Sequence, residues 1–160
     1  MEKREQLPEE KVIERYSDMV YRLAFSRTGT TQDAEDVYQE VFYRYLKKHP
    51  EFESEEHRKA WLIRVTVNRT NSFLTSAWRK RRAELPEDLP FEDRRNQELY
   101  RELRQLPGKY REVIHLFYYE ELSVEEIAGA LGRKPSTVRT QLTRAREMLR
   151  RVMKEEDYEF

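Results

Sequence analysis

Apolar side chains recur at three- and four-residue steps through the first fifty positions, the period of an amphipathic α-helix. The first such helix is predicted to end near Gly29, and Thr31 is expected to cap a second helix that Pro50 closes. On the second helix the apolar residues share one arc and the polar residues the opposite one. The apolar arc holds Ala34, Val37, Tyr38, Val41, Phe42 and Tyr45, and the polar arc holds Asp33, Asp36, Gln39, Glu40, Tyr43 and Lys47.

The third segment, from His57, is apolar nearly all round between Ala60 and Val67, which predicts a helix buried on two sides. A polar interval follows at residues 68–72 before apolar residues resume. Pro86, Pro90 and many charges then indicate a flexible linker over residues 83–95. The chain is therefore predicted to be all-α, with two small helical domains at residues 8–82 and 96–154.

The second domain carries the pattern of a helix-turn-helix. Short helices are expected around Leu103 and from Tyr110 through Phe117 and Tyr118, with Pro107-Gly108 between them. Residues 123–126 (SVEE) form a capping box, Gly132 suits a left-handed C-cap, and Pro135 suits the first turn of a new helix. A short helix, a turn containing glycine and a longer second helix are typical of DNA-binding proteins.

The last helix has two distinct sides. Apolar residues step by four and three along one side, and Arg, Ser and Thr occupy the other. Arg, Ser and Thr suit base edges and phosphates in the major groove. The apolar stripe is Val138, Leu142, Ala145, Leu149 and Val152, and the polar side is Ser136, Arg139, Thr140, Thr143, Arg144, Arg150 and Arg151.

Charge segregation changes this picture. The 160-residue chain has no net charge, yet residues 57–82 hold eight Lys/Arg and no acid, and residues 133–154 hold eight Lys/Arg against one Glu. Two cationic blocks indicate contact with a polyanion at two places and leave acidic surfaces for another partner.

Composition also excludes several function classes. No cysteine is present, which excludes disulfides and thiolate metal sites. No apolar run reaches the length of a membrane span, so a soluble, cytoplasmic protein is expected. The three histidines are scattered, with His115 expected to be structural, and no HxE, CxxC or glycine-rich phosphate loop occurs. We therefore predict no catalytic residues, no metal, no cofactor and no small-molecule substrate.

Several ordered motifs resemble RNA polymerase sigma factors. Residues 33–42 (DAEDVYQEVF) look like region 2.2 of that family, and residues 61–68 (WLIRVTVN) look like regions 2.3 to 2.4. Residues 106–113 (LPGKYREV), 121–128 (ELSVEEIA), 131–132, 136–139 and 144–146 resemble region 4. The short connection between the two parts is similar to the extracytoplasmic-function (ECF) group.

The resemblance implies a role for each region. Region 2.2 docks on polymerase core, here through Asp36, Gln39, Glu40 and Tyr43. Region 2.4 reads the unpaired −10 strand, and region 4 reads the −35 duplex. The residues implied for −10 reading are Arg64, Asn68, Arg69, Asn71, Ser72, Arg79, Lys80 and Arg81. Those implied for −35 reading are Ser136, Thr137, Arg139, Thr140, Thr143 and Arg144.

The implied partners are RNA polymerase core, promoter DNA and an anti-sigma factor, which is often membrane-bound in this family. Trp61 and Trp78 are candidates for stacking on unpaired bases, but each is better explained as a core residue. Two rival functions remain open. One is a stand-alone helix-turn-helix regulator that binds duplex DNA without polymerase, and the other is an enzyme acting on nucleic acid.

Overall fold

The computed structural model describes residues 7–71 and 101–154, with side chains described to residue 151. These residues form helices and connecting turns with no strand among them, as the sequence predicted. The chain divides into two compact units, Met1–Pro86 and Glu87–Phe160. The predicted linker, residues 83–95, lies outside the described residues, as does Trp78.

The first unit contains three long helices: α1 (Glu9–Thr28), α2 (Thr31–Lys48) and α3 (Glu55–Thr70). α1 packs against both α2 and α3, which also contact each other. Helix amphipathicity directs the apolar stripes inward, so burial of these side chains is the main stabilising term. The fully buried residues include Val12, Val20, Leu23, Phe25, Val41, Leu62 and Ile63.

The helix ends follow local rules. Gly29 ends α1 in the left-handed conformation, with φ of 84°, and its N–H bonds the carbonyl of Phe25. The predicted cap of α2 is wrong by one residue. Thr30, not Thr31, is extended and accepts a hydrogen bond from the amide of Asp33 at 3.1 Å. Ser54 caps α3 in the same way, so this helix starts two residues before His57.

An aromatic cluster joins α2, α3 and the segment between them. Phe52 and Trp61 lie 5.9 Å apart between ring centroids, and Tyr45 contacts both rings. The guanidinium of buried Arg58 lies 5.3 Å from the centre of the Phe52 ring. Trp61 is engaged in packing but is half-buried rather than a fully buried core residue.

The second unit contains α4 (Gly108–Ile114), a π-helical segment (His115–Tyr119), α5 (Val124–Leu131) and α6 (Pro135–Lys154). α4 and α5 both pack on α6. Ser123 and Glu126 form the predicted capping box, with hydrogen bonds of 3.1 and 3.0 Å, and Gly132 adopts the predicted left-handed conformation.

The π-helical segment corrects the prediction of a regular helix through residues 117 and 118. Its wider turn, closed by the 3.3 Å bond from the Glu120 amide to the His115 carbonyl, changes which side chains face inward. Tyr118 is consequently 48% exposed, and its hydroxyl accepts from Arg146 of α6. His115 is fully buried, with its ring 5.2 Å from that of Tyr119, in agreement with the predicted structural role.

Candidate nucleic-acid interfaces

The polar arc of α2 faces solvent on the first unit. Asp36, Gln39 and Tyr43 are exposed, and Tyr43 is 65% exposed, an unusually open position for an aromatic side chain. Lys47 lies one turn further on, with its Nζ 5.9 Å from the Tyr43 ring centre. An exposed tyrosine among polar residues is typical of protein-binding surfaces, because its ring supplies contact area and its hydroxyl can hydrogen-bond. We call Asp36, Gln39, Glu40 and Tyr43 the α2 face.

One residue of the α2 face contacts a predicted DNA-binding residue. The carboxylate of Glu40 forms an ion pair with the guanidinium of Arg69 on α3, and both side chains are partly exposed. The tertiary structure therefore joins a residue predicted to contact polymerase to one predicted to contact the −10 strand. Sequence spacing gave no sign of this pair, since the two residues are 29 positions apart.

The remaining described −10 candidates lie along α3. Arg64, Asn68 and Asn71 are exposed, and Asn71 is the C-cap of the helix. Ser72, Arg79, Lys80 and Arg81 lie outside the described residues. The end of α3 is thus an open polar surface with cationic side chains near it, which suits an unpaired strand.

Arg27 holds this end of α3 and was missed by the sequence reasoning. Its side chain is buried, at 3% exposure, although it is charged. Its Nε donates to Thr70 Oγ1 and its Nη2 donates to Asn71 Oδ1, both at 2.6 Å. The available signal was its spacing, because Arg27 falls four residues after Leu23 on the buried stripe of α1.

The second unit presents the helix-turn-helix. α5 is the first helix, Gly132 is in the turn, and α6 is the second helix. Arg133 reinforces the turn, because its guanidinium pairs with the buried carboxylate of Glu112 on α4 and donates to Gln141 of α6 at 3.0 Å. These contacts fix α6 against the rest of the unit.

The two sides of α6 are those that the sequence predicted for every residue whose side chain is described; Val152, the last residue of the predicted stripe, lies outside them. Val138, Leu142, Ala145 and Leu149 are buried, each at 2% exposure or less. All six residues implied for −35 reading are exposed on the helix: Ser136, Thr137, Arg139, Thr140, Thr143 and Arg144.

Two arginines of α6 have partners within the unit. Arg139 lies 3.4 Å from the carboxylate of Glu125 on α5, and both side chains are well exposed. Arg144 hydrogen-bonds the phenol of Tyr110, which lowers the phenol's pKa. The Arg139–Glu125 pair is exposed and therefore weak, so a phosphate can replace Glu125, whereas the Tyr110 ring beside Arg144 is buried.

The hydroxyls of Thr140 and Thr143 donate to backbone carbonyls one turn back, at 3.1 and 3.0 Å. Since each hydroxyl hydrogen is used in this bond, the exposed oxygens have lone pairs left to accept hydrogen bonds, and the methyl groups can make apolar contacts.

Metal sites and membrane-spanning helices are two further features that the described residues can be searched for. Within residues 7–71 and 101–154, no group of three or more His, Asp or Glu side chains is arranged to hold a metal ion. None of the helices described there is both long enough and apolar enough to cross a membrane.

Comparison with known proteins gives a consistent family. Residues 12–80 match the family model of sigma-70 region 2, and residues 96–149 match that of sigma-70 region 4. SigV of Bacillus subtilis, an RNA polymerase sigma factor, is 32% identical over 143 residues, covering 86% of each chain. The ECF sigma factor SigW of the same species is 28% identical, covering 90% of this chain and 88% of its own.

A third relative is longer. The ECF RNA polymerase sigma factor SigE of Mycolicibacterium smegmatis is 33% identical over 154 residues, and the match spans 88% of this chain but 60% of that protein.

Solved structures show the same fold. The sigma factor RpoE of Bartonella quintana, in complex with the anti-sigma factor NepR, superposes with a TM-score of 0.72 at 22% identity, covering 91% of this chain and 96% of that one. CnrH in complex with the cytosolic domain of CnrY superposes with a TM-score of 0.70 at 25% identity, covering 94% of this chain and 89% of that one.

Proposed function

Because this chain belongs to the ECF family of RNA polymerase sigma factors, we propose that it binds polymerase core and selects promoters by reading two DNA elements. Members of this family are DNA-binding regulators of transcription initiation rather than enzymes. The finer assignments are the −35 duplex for α6, the melted −10 strand for the end of α3, and the polymerase core for the α2 face.

The arrangement of α6 carries the proposal. A capped helix, a turn braced by Arg133 and a second helix with a buried apolar stripe leave one exposed side rich in Arg, Ser and Thr. In the helix-turn-helix geometry, the N-terminal residues of the second helix enter the major groove. Ser136, Thr137, Arg139 and Thr140 occupy that part of α6, and Thr143 and Arg144 continue the surface along the next turn.

The first unit supplies the second reader. Recognition of an unpaired strand needs exposed hydrogen-bonding groups for base edges and cations for phosphates. Asn68 and Asn71 provide exposed amides, and Arg64 provides an exposed cation on the same helix. Arg69 joins them when a phosphate or a polymerase group replaces its contact with Glu40.

Polymerase docking is assigned to the α2 face. Asp36 and Gln39 supply polar contacts, and Tyr43 supplies an aromatic anchor that is 65% exposed in the free chain. Aromatic residues are enriched among the residues that dominate protein interfaces, and carboxylates steer association with a basic partner. We further propose an anti-sigma factor as a partner, which would block polymerase or DNA until it is released. The sigma factor RpoE of Bartonella quintana was solved in complex with an anti-sigma factor, NepR.

The experiment that tests the proposal is in vitro transcription with purified core polymerase on a promoter library. The wild-type chain should direct initiation from a subset of sequences that share two separated elements. Asp36→Arg should reduce core affinity about tenfold, or 1.4 kcal/mol, without changing the helix content. Asp18→Arg is the matched control, since it makes the same charge change at an exposed acid of α1.

Two results would contradict these assignments. If the affinity of Asp36→Arg for core polymerase stays within about twofold of wild type, roughly 0.4 kcal/mol, the α2 face is not the surface that binds core polymerase. Sequence-specific binding of duplex DNA with no effect of the chain on core polymerase would indicate the stand-alone helix-turn-helix regulator instead.

A further inference from the structure

The contact of Arg27 with the end of α3 is unlike an ordinary surface interaction. The guanidinium is buried, and it reaches from the last turn of α1 to two consecutive residues 43 and 44 positions away. Both hydrogen bonds are 2.6 Å long. Hydrogen bonds from a charged donor are stronger than neutral ones and gain further strength away from water. Arg27 therefore restricts the side-chain orientations of Thr70 and Asn71.

The hydrogen-bonding chemistry of Arg27 determines the orientation of the Asn71 amide. A guanidinium has only donors, so the oxygen of the amide must face it and the Nδ2 group must lie on the other side. Thr70 is anchored as well, because its hydroxyl lies 2.9 Å from the carbonyl of Thr66 while its oxygen accepts from Arg27. Asn71 itself is exposed, so its Nδ2 donors are available to a ligand.

We propose that Arg27 is a positioning residue for −10 recognition, which orients Asn71 so that it offers donors to an unpaired base. This inference rests on the proposed function of the first unit. An amide that already has one fixed orientation loses less conformational entropy on binding a base than an amide that is free to adopt several rotamers.

The orientation also predicts which groups of a base are read. The bidentate contact by which Asn reads adenine uses the amide oxygen and nitrogen together. Here one lone pair of Oδ1 is engaged by Arg27, so the Nδ2 hydrogens are the groups that Asn71 chiefly offers to a base. A donor held in one direction favours the base that places an acceptor, either a carbonyl oxygen or a ring nitrogen, at that point.

The test measures −10 base preference with core polymerase and a promoter library whose −35 element is held constant. Arg27→Lys keeps the charge but removes the fork that reaches both residues. Arg27→Lys and Asn71→Ala should each relax preference at the same −10 position by about tenfold, and the double variant should be no worse than either single variant. Arg58→Lys is the matched control, since Arg58 is equally buried in the same unit but contacts Glu55 and Phe52. It should lower the melting temperature and leave the preference unchanged.

A variant at the exposed residue Asn71 tests the inference even if Arg27→Lys does not fold. Asn71→Asp keeps the acceptor facing Arg27 and removes the Nδ2 donors, so it should lose the base preference while melting no lower than wild type. The inference is overturned if Asn71→Asp keeps the wild-type preference. It is also overturned if Arg27→Lys behaves like Arg58→Lys, with lower stability and unchanged preference. Failure of the proposed function is a different result, in which the wild-type chain supports no promoter-specific transcription.

Discussion

The cap of α2 provides a sharp test, because sequence and structure disagree on it by one residue. The sequence pattern favoured Thr31, whereas in the structure Thr30 is extended and its hydroxyl accepts from the Asp33 amide at 3.1 Å. Thr31 is an exposed residue of the first helical turn. Replacing each threonine by alanine in turn therefore asks which hydroxyl stabilises the helix.

The expected magnitudes differ enough to be measured. Removing an N-cap hydroxyl typically costs about 1 kcal/mol, within a range of roughly 0.5–2 kcal/mol. Thr31→Ala removes an exposed side chain and improves helix propensity, so its effect should stay within about 0.5 kcal/mol. With a urea dependence of about 1–3 kcal/mol per M, Thr30→Ala should lower the unfolding midpoint by about 0.3–1 M.

Tryptophan fluorescence during urea unfolding is the suitable assay. Both tryptophans of the chain, Trp61 and Trp78, belong to the first unit, so the signal reports on that unit in the full-length chain. Thr30→Ser keeps a hydroxyl at the cap and should recover most of the loss. Equal midpoints for Thr30→Ala and Thr31→Ala, or a larger loss for Thr31→Ala, would refute the structural assignment.

Two further predictions concern the acid–base chemistry of the first unit and the DNA contacts of the second. Burial and a 2.6 Å hydrogen bond to Glu55 raise the pKa of Tyr16 to about 12. Burial acts to raise the pKa of Glu55, but the hydrogen bond from Tyr16 and the charge of Arg58 outweigh burial, so the pKa of Glu55 is lowered. Glu55 should therefore stop contributing to the free energy of unfolding as pH falls below about 4.3 and through its folded pKa. Tyr16 should stop contributing as pH rises from about 10 towards 12. The urea midpoint of the wild type should fall at both acid and alkaline pH, and the alkaline fall should be smaller in Tyr16→Phe. An equal alkaline fall in both proteins would show that the Tyr16–Glu55 pair does not stabilise the fold. On α6, we expect Arg139→Ala or Arg144→Ala to cost about 1–3 kcal/mol with relaxed preference at one −35 position if the arginine reads guanine, or to weaken all sequences alike and reduce the salt slope by about one if it contacts phosphate. Promoter selection separates these outcomes. If both variants keep the wild-type −35 preference and salt dependence, α6 does not bind in the major groove.

The sequence by itself determined those features that depend on neighbours along the chain. The capping box at Ser123, the left-handed Gly132 and the alternation of buried and exposed residues on α6 all involve residues within one turn of each other. Their geometry follows from helix periodicity and backbone hydrogen bonding, which are local. The exposed arc of α2 was readable for the same reason. The error at Thr30 is also local: two adjacent threonines offer the same hydroxyl, and only the backbone conformation distinguishes them.

The tertiary structure decided which separate segments meet. Arg27 reaches Asn71 and Glu40 reaches Arg69 only because α1 and α2 both pack against α3. The angle and offset of that packing come from the fit of many side chains at once, which no spacing rule along one helix contains. The π-helical segment at His115–Tyr119 is a similar case, since it turns Tyr118 towards Arg146. Periodicity therefore predicted where the helices and their faces lie, whereas the contacts that orient the candidate DNA readers became visible only once the helices were packed together.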